Sequence, residues 1–371
     1  MKILIVATVV KTHIMEFHIP YLKMLKEMGW ETAVAARNDY ENKSDCSIPY
    51  CDSYYDIPFE RNPFKPGNIR AYKQLKELID REGFDIIHCH TPVGGVLGRL
   101  AARKARKHGS KVFYTAHGFH FYKGAPLLNW LLYYPVEKML AGLTDVLITI
   151  NSEDYGRAQS FSAGKVIYLP GVGIDTDRFS ADRFNKDRDL RSELGIPQNE
   201  KVILSVGEAT KNKNHRSVIE VMPQLDNVHY VICGSGQLID QLKKLTEDIS
   251  VSDRVIFAGY RTDLPDFYHM ADAFVFPSFR EGLPVALMEA MASGLVCVAA
   301  RNRGTNDLLP DSRLRFDPSN KSEILDKIRH ALEDDNTDEV SRNREILSRF
   351  RLENVLEQAR HIYLDETEDR A

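Results

Sequence analysis

Short apolar runs of the kind that form β-strands alternate with helix-like patterns along most of this chain. Up to about residue 170 the runs are KILIVATV, ETAVAA, DIIHCH, KVFYTAH, DVLITIN and KVIYLP. The rhythm starts again at Lys201 with KVILSVG, NVHYVICG, RVIFAGY, AFVFPS and LVCVAA. Strands that alternate with helices form doubly wound parallel sheets. The sequence therefore predicts an α/β protein with two similar domains in series.

The two series are separated by a segment rich in glycine and charge, LPGVGIDTDRFSADRFNKDRDLR. Such a composition is typical of a linker. A chain of 371 residues also exceeds what one hydrophobic core usually supports. We therefore predict a first domain over residues 1–168, a linker over 169–190 and a second domain over 191–350. Residues 351–371 are predicted to form a terminal helix.

Composition is that of a globular enzyme, with 43% hydrophobic and 27% charged residues. No apolar run reaches membrane-spanning length, and the longest, GAPLLNWLLYYPV, contains two prolines. The beginning, MKILIVATVVK, lacks a small-residue cleavage site, so it is predicted to be the first strand and not a secretory leader. The five cysteines form no CxxC pair, which suits a reducing compartment. We expect a cytoplasmic protein.

Charge is divided unevenly along the chain. Residues 1–165 carry 22 Lys and Arg against 17 Asp and Glu, a balance of +5, and the remainder carries 27 against 36, a balance of −9. The net charge of −4 and the lack of a recognisable motif argue against nucleic acid as a partner. Six cations fall within little more than three helical turns: Arg99, Arg103, Lys104, Arg106, Lys107 and Lys111.

This basic run has two interpretations. It is a solvated helix face, or it attracts the anionic lipids of the inner face of the membrane, where each cation near the surface contributes about 1 kcal/mol. In the second case Trp130, Tyr133 and Tyr134 could add interfacial anchoring, although packing in a core explains them equally well.

One stretch of the second series, AFVFPSFREGLPVALMEAMASG, carries the clearest chemistry. It predicts a strand from Ala273 to Pro277, a turn, and a helix that is opened by Pro284 and stopped by Gly294. The next strand begins near Leu295, so the unit is βαβ and the turn lies at the carboxyl edge of a parallel sheet. Ligands of open α/β sheets bind at that edge.

The turn and helix bring two carboxylates close to free backbone amides. Glu281 lies in the turn, and Glu289 follows eight residues later on the helix. The backbone N–H groups from Leu283 onward, next to Gly282, are the unpaired donors at the helix start. Carboxylates suit sugar hydroxyls and amides suit phosphates, a pairing that a nucleotide sugar requires. Alternatively, Glu281 caps the turn and Glu289 lies on a solvated helix face.

The run FPSFREGLPVALMEAMASG resembles the paired-glutamate signature of retaining GT-B glycosyltransferases, specifically glycosyltransferase family four. The resemblance implies a GT-B fold, in which two Rossmann-like doubly wound domains face an interdomain cleft and the terminal helix crosses back to the first domain. A second run, YTAHGFHFYKGAPLLNWLLYYP, resembles the subgroup that builds bacterial capsular and exopolysaccharide chains.

The family implies a reaction and its partners. A hexose or N-acetylhexosamine is expected to move with retention from a nucleoside diphosphate sugar, by default a UDP-sugar, to a lipid-linked or oligosaccharide acceptor. The nucleotide sugar is a donor substrate, and no cofactor or metal is expected. The sequence also shows no aspartate cluster that could hold a metal against the diphosphate.

Histidines gather near the predicted edge of the first sheet. His88 and His90 project to the same side of one strand, the next strand ends at His117, and His120 follows it closely. These four permit a zinc hypothesis, but no carboxylate or cysteine completes a usual ligand spacing, so we predict no metal site. The resemblance favours His117 as the histidine beside the reacting sugar. His13 lies where many relatives have a glycine-rich turn, and His13, His90 and His120 are candidates for the acceptor side.

Further donor-binding candidates follow the strands of the second domain. Relatives carry an arginine just after the strand KVILSVG and a lysine five residues further on; Lys213 matches the lysine, but Glu208 replaces the arginine. We expect Glu208 to turn away from a diphosphate and Lys211 to contribute charge. The resemblance makes Gly234 part of a donor-facing loop and lets Arg261 stack near the nucleotide base.

The sequence thus predicts His117 and Glu281 as catalytic residues. The predicted donor-binding residues are Lys213, Gly234, Arg261, Gly282, Leu283, Pro284 and Glu289. Three other classes stay open: a nucleotide-sugar epimerase on the same fold, a glycoside hydrolase with two carboxylates, and a catalytically silent subunit of another glycosyltransferase. The Glu208 substitution lends some weight to the silent subunit.

Overall fold

The computed structural model describes residues 1–180 and 183–367. The chain forms two compact units: Met1–Gly173 together with the chain from Glu353, and Ile174–Leu352. The division after Gly173 falls within the segment 169–190 that was predicted to be a linker. Residues 181 and 182 of that segment and residues 368–371 of the predicted terminal helix lie outside the described part.

The first unit contains a parallel sheet with the strand order β3-β2-β1-β4-β5-β6-β7. Its strands are β1 (Lys2–Val9), β2 (Glu31–Arg37), β3 (Ser53–Asp56), β4 (Ile86–His90), β5 (Lys111–Ala116), β6 (Val146–Thr149) and β7 (Lys165–Tyr168). Its helices are Met15–Phe17, Ile19–Glu27, Gly67–Glu82, Pro92–Ala101, Arg103–Lys107, Leu127–Ala141, Ser152–Ala158 and the terminal Leu352–Asp365, with a π-helical turn at Val10–Ile14 and a 3₁₀ turn at Lys43–Asp45.

The second unit contains a parallel sheet with the order β10-β9-β8-β11-β12-β13. Its strands are β8 (Lys201–Val206), β9 (Val228–Cys233), β10 (Val255–Gly259), β11 (Ala273–Phe276), β12 (Val296–Ala300) and β13 (Arg315–Phe316). Its α-helices are Leu190–Glu193, His215–Ile219, Ile239–Asp248, Leu264–Met270, Val285–Ala292, Arg303–Leu308, Lys321–Glu333 and Thr337–Leu347, with 3₁₀ turns at Asp177–Phe179, Met222–Gln224 and Ser348–Phe350.

Each sheet is buried on both faces, as is usual for parallel sheets. In β1, Leu4 and Val6 belong to one hydrophobic cluster, whereas Ile3 and Ile5 belong to the cluster on the opposite face. This alternation explains why the strands are almost continuously apolar in the sequence. The two doubly wound sheets confirm the predicted α/β fold class.

The terminal helix is anchored in the first unit by its tyrosine. The ring of Tyr363 stacks on Phe113, with ring centroids 5.6 Å apart and planes within 6°. Its hydroxyl lies 2.7 Å from Nδ1 of His88. Within the described ranges, none of the helices combines the length and the apolar character needed to cross a membrane.

Candidate active site

The turn after β11 holds the predicted donor residues at the carboxyl edge of the second sheet. β11 ends at Phe276, and the next helix begins at Val285 with Pro284 as its N-cap, in extended conformation. Pro284 therefore precedes the helix and does not form its first residue, which differs slightly from the prediction. Gly294 follows the helix with φ +77°, the left-handed exit expected of a glycine.

Lys213 and Glu281 meet at this edge. The ammonium Nζ of Lys213 lies 2.8 Å from Oε1 of Glu281, and both side chains are largely shielded from solvent. Lys213 also lies 5.0 Å above the ring of Phe276, at the end of β11. The two strands that precede this pair, β8 and β11, are neighbours in the sheet, so residues 68 positions apart are brought into contact.

Glu289 is held by a tyrosine that sequence reasoning missed. The hydroxyl of Tyr268 donates to Oε2 of Glu289 at 2.8 Å and also reaches the carbonyl oxygen of Ala286 at 3.1 Å. Tyr268 is fully buried, and its pKa is raised well above the usual value by burial and by the neighbouring carboxylate. The phenol therefore stays protonated and fixes the carboxylate near the start of the helix.

A second missed group, Arg303, supports the turn itself. Its Nε donates to the backbone oxygen of Glu281 at 3.0 Å, and only 6% of the residue is exposed. Asn302 caps the helix Arg303–Leu308 and donates to the backbone oxygen of Ser278 at 3.0 Å. The next residue, Gly304, packs so closely that an added Cβ would lie 2.7 Å from the oxygen of Gly282. The N-cap and first turn of the helix Arg303–Leu308 thus support the turn after β11.

The glycine loop after β9 has a clear packing role. Gly234 has φ +154°, and an added Cβ would lie 2.0 Å from the backbone oxygen of Gly207. The loops that follow β8 and β9 are therefore in direct backbone contact, which only glycine permits. Glu208, next to Gly207, is exposed, and so is Lys211.

Arg261 has protein partners in this conformation. Its guanidinium makes two hydrogen bonds to the carboxylate of Asp263, and it lies 5.0 Å above the ring of Phe267. The pKa of Asp263 is lowered, first of all by Arg261.

Histidines from three segments of the first unit converge at the carboxyl edge of its sheet. The cluster consists of His13, His18, His90 and His117, each of which offers one ring nitrogen within 4.8 Å of the others. Nε2 of His18 lies 3.2 Å from Nε2 of His13, and Nδ1 of His90 lies 3.2 Å from Nε2 of His117. We call this group the histidine cluster.

The cluster differs from the four histidines considered from the sequence. His88 bonds Tyr363 and, through Nε2, the hydroxyl of Thr115 at 2.8 Å, so both its ring nitrogens have partners and its role is structural. His120 stacks on Tyr133 with centroids 4.6 Å apart and is not part of the cluster. His18, which sequence reasoning missed, lies in the run MEFHIP after the first strand, five residues beyond His13.

Burial keeps the cluster uncharged. Desolvation lowers the pKa of His13 to about 3 and that of His117 to about 4. The pKa values of His18 and His90 also fall well below 6.5, because burial and the neighbouring imidazoles both oppose a positive charge. All four rings are therefore neutral near pH 7 and carry lone pairs.

The backbone around the cluster is unusual. His13 lies in a π-helical turn, a feature that is frequent at functional sites. Thr91, which directly follows His90, has φ +63°, a conformation that is an outlier for a β-branched residue. Its side chain bonds the oxygen of His90 and the hydroxyl of Thr8 at 2.6 Å, which holds the strained position. Strain of this kind concentrates at active and binding sites.

The basic run differs from the prediction at Arg99. Arg99 is fully buried, donates to Glu137 at 2.7 Å and stacks 3.9 Å from the ring centre of Tyr114, so it does not belong to a basic surface. Of the two interpretations of Trp130, Tyr133 and Tyr134, the structure agrees with packing in a core, because all three pack against the hydrophobic core. The exposed large hydrophobic residues of the helix Leu127–Ala141 are Leu127, Leu128, Leu131, Leu132, Val136 and Met139.

Comparison with known proteins decides the family. Residues 186–346 match the family described as glycosyl transferases group 1, and residues 2–151 match the one described as glycosyl transferase 4-like. The chain is 42% identical over 321 residues to the "Putative glycosyltransferase EpsD" of Bacillus subtilis (strain 168), covering 85% of this chain and 82% of that protein. This chain belongs to the group 1 glycosyl transferases.

Other relatives agree with this assignment. An Escherichia coli protein named as a UDP-Gal:alpha-D-GlcNAc-diphosphoundecaprenol alpha-1,3-galactosyltransferase is 33% identical over 260 residues, covering 65% of this chain and 66% of its own length. The structure of Alr3699/HepE from Anabaena in complex with UDP and glucose has the same fold, with a TM-score of 0.80 at 18% identity over 98% of this chain and 100% of that chain. The protein is a GT-B glycosyltransferase, as the sequence predicted.

Proposed function

We propose that this enzyme moves a hexose or N-acetylhexosamine from a UDP-sugar to a lipid-linked acceptor, with retention, in bacterial surface polysaccharide synthesis. The observation that carries the proposal is the arrangement of Lys213, Glu281 and Glu289 around the start of one helix. Two proteins support the choice of substrates: one relative is named for a UDP-Gal donor and a diphosphoundecaprenol acceptor, and one protein of the same fold has a structure in complex with UDP and glucose.

The proposed roles follow from chemistry and geometry. Lys213 and the first amides of the helix Val285–Ala292 stabilise the leaving diphosphate, since charge develops there during transfer. Glu281 accepts hydrogen bonds from the sugar hydroxyls and Glu289 from the ribose hydroxyls. Before the donor binds, Glu281 neutralises Lys213, so the donor diphosphate must share or displace that carboxylate.

His117 is proposed to act in turnover from the edge of the first sheet. Its lowered pKa keeps the ring neutral, so it accepts or donates a hydrogen bond without a charge. His13, His90 and His120 remain proposed acceptor-side residues. An oligosaccharide acceptor is a further possibility of the same reaction.

Turnover tests the proposed function against its rivals. The isolated enzyme is incubated with a panel of UDP-sugars, with and without an undecaprenyl-diphosphate-linked sugar, and the products are separated. Transfer that requires the acceptor and leaves the anomeric configuration unchanged supports the proposal. A changed sugar without acceptor indicates an epimerase, hydrolysis of a plain oligosaccharide indicates a glycoside hydrolase, and no turnover in any combination indicates a silent subunit.

We propose further that the first unit docks on an anionic membrane surface. The helix Leu127–Ala141 turns its leucines outward, with Leu127 73% and Leu131 65% exposed, while its Glu137 is buried against Arg99. A pocket of about 400 Å³ lined by cations lies beside its C-terminal end: its lining residues are Arg103, Arg106, Lys107, Gly109, Ser110, Lys111, Leu143 and Asp145. An apolar face next to basic groups is the pattern of a helix that lies in the membrane interface.

Vesicle co-sedimentation tests this docking. Wild type should bind anionic vesicles more than neutral ones, and salt should weaken binding because the Debye length shortens from about 10 Å at 0.1 M to about 3 Å at 1 M. Leu128→Ser with Leu131→Ser, and separately Arg103→Gln with Lys107→Gln, should each reduce it. The matched control is Ile69→Ser, since Ile69 is 63% exposed on another helix of the same unit. The docking would be refuted if Ile69→Ser lost as much vesicle binding as the test variants. It would also be refuted if the wild type bound no vesicles and the leucines were instead required for a dimer.

A further inference from the structure

We propose that the histidine cluster, His13, His18, His90 and His117, binds one divalent transition-metal ion of the zinc class. The sequence predicted no metal, because the histidines that it placed at this edge did not form a ligand set. The folded chain replaces His88 and His120 with His13 and His18. All four residues of the cluster belong to the first unit.

The distances fit a metal site. In a tetrahedral site with metal–nitrogen bonds of about 2.0–2.1 Å, neighbouring ligand atoms lie about 3.3–3.4 Å apart. Two of the nitrogen pairs in the cluster are 3.2 Å apart, and the ligand atoms of all four residues lie within 4.8 Å of one another. His13 and His117 are only partly buried, so the cluster borders solvent on their side.

The chemistry of the rings fits as well. A metal ion binds the neutral imidazole, the form that predominates above the usual histidine pKa of about 6.5. Imidazole nitrogen suits zinc, copper, iron and nickel, and three histidines with an open position form a known zinc arrangement. The cluster therefore needs no protonation change to bind metal at neutral pH.

One ring nitrogen of the cluster has no partner in the protein. His90 is 4% exposed, and its Nε2 has no hydrogen-bond partner among the described residues. Such a buried polar atom costs free energy, which a native structure ordinarily avoids. Hydrogen bonds among the four neutral rings leave this cost in place, so the rings do not fully satisfy one another.

The four rings would supply no negative charge to the ion. Within the described residues the cluster contains no carboxylate or thiolate, so a divalent ion would keep its full charge there. The more exposed pair, His13 and His117, marks the side from which water or an anionic group could reach the ion. Because His117 also serves the proposed transfer reaction, metal content and not turnover must be the readout.

The test measures metal directly on the full chain without a histidine tag. Apoprotein prepared with a chelator is equilibrated with Zn²⁺, dialysed, and assayed for zinc by mass spectrometry; competition with a chromophoric chelator gives the affinity. Co²⁺ replaces Zn²⁺ in a second experiment, so that its visible absorption reports coordination by nitrogen. Wild type should retain one ion per chain and show the cobalt bands.

Two variants and one control make the result specific. His13→Ala and His117→Ala, which alter the more exposed rings and leave the buried ones in place, should each lower zinc affinity by about tenfold or more and weaken the cobalt bands. His120→Ala, outside the cluster, should bind zinc with the affinity of the wild type. Thermal unfolding of each protein checks that the fold is kept. Wild type that retains only substoichiometric zinc, or an equal loss in His120→Ala, would overturn the proposal.

Discussion

Replacing Glu289 with glutamine should weaken UDP binding while leaving the fold intact. A hydrogen bond to a charged group contributes about 1.5–3 kcal/mol, which corresponds to a loss of roughly 10- to 150-fold in affinity for UDP. The fold should survive because the hydroxyl of Tyr268 keeps the oxygen of Ala286, 3.1 Å away, as an acceptor. The amide oxygen of glutamine can also still accept from Tyr268, so the amide NH2, which cannot accept a hydrogen bond, replaces the carboxylate oxygen that faces the ligand.

Glu281→Gln is the matched comparison, because the two carboxylates lie on the same turn and helix. UDP lacks the sugar that Glu281 is proposed to hold, so its affinity should not fall. It should rise slightly, since Lys213 loses the carboxylate that lies 2.8 Å from its ammonium and becomes available to the diphosphate. Turnover of the UDP-sugar should nevertheless decrease in this variant.

Titration calorimetry with UDP and with the UDP-sugar measures both effects on the same protein samples. Circular dichroism during thermal unfolding checks that each variant is folded. The assignment fails if Glu289→Gln binds UDP within about twofold of wild type, a difference below 0.5 kcal/mol. It also fails if Glu281→Gln weakens UDP as strongly as Glu289→Gln does.

Three further substitutions test other parts of the structure. Lys213→Ala should reduce the maximal rate by about 10²-fold or more, because it removes a positive group from the leaving diphosphate. Glu208→Ala, at an exposed position, should change the rate only mildly. Steady-state kinetics compares the two variants, and a collapse of activity in Glu208→Ala would contradict these roles. His117→Ala should lower the maximal rate well beyond any change in donor affinity, and a rate that stays near wild type would leave His117 without a role in turnover. Arg99→Met should destabilise the protein by about 3–5 kcal/mol in urea unfolding, because it leaves the Glu137 carboxylate buried without its ion-pair partner. The double variant Arg99→Met with Glu137→Leu should recover most of this loss of stability. Equal destabilisation of the single and double variants would argue against this pairing.

The parallel sheets and the donor turn could be predicted because their determinants are local. A run of apolar residues bounded by turn residues identifies a strand wherever it occurs, and the strand, turn and helix of residues 273–294 lie within one short segment. The separation of Glu281 and Glu289 is likewise fixed locally, because Glu281 lies in the turn and Glu289 is the fifth residue of the helix Val285–Ala292. Local geometry was sufficient there.

Partners from distant segments could not be predicted in the same way. His18 and His90 are 72 positions apart, yet their rings lie 4.2 Å apart because β1 and β4 are neighbours in the sheet. Tyr268 reaches Glu289 because the helix Leu264–Met270 packs on the same side of the second sheet as the helix Val285–Ala292. Such contacts depend on strand order, which a single sequence does not record.

Arg99 shows why charge patterns mislead. In the sequence it begins a basic run, but the helix Pro92–Ala101 ends before the helix Arg103–Lys107 begins, and only the second is mostly exposed. Arg99 faces inward because Glu137, on a helix that follows much later, provides a buried partner at 2.7 Å. A charged residue is buried only with such a partner, and the partner is visible only in the fold.

In the helix that carries Glu137, by contrast, the sequence pattern does indicate an unusual surface. Its sequence, LLNWLLYYPVEKMLA, is apolar on nearly every side, and such a helix normally lies in a core or a membrane. Here Trp130 and Tyr134 pack on Phe121 on the inner side, while the leucines on the outer side remain in solvent. Leaving apolar surface in water costs about 25 cal/mol per Å², so an outer face of this kind is stable chiefly when something covers it. The sequence of this helix already shows that it lacks a polar face. The fold adds which side of the helix is left exposed for a partner such as the membrane interface.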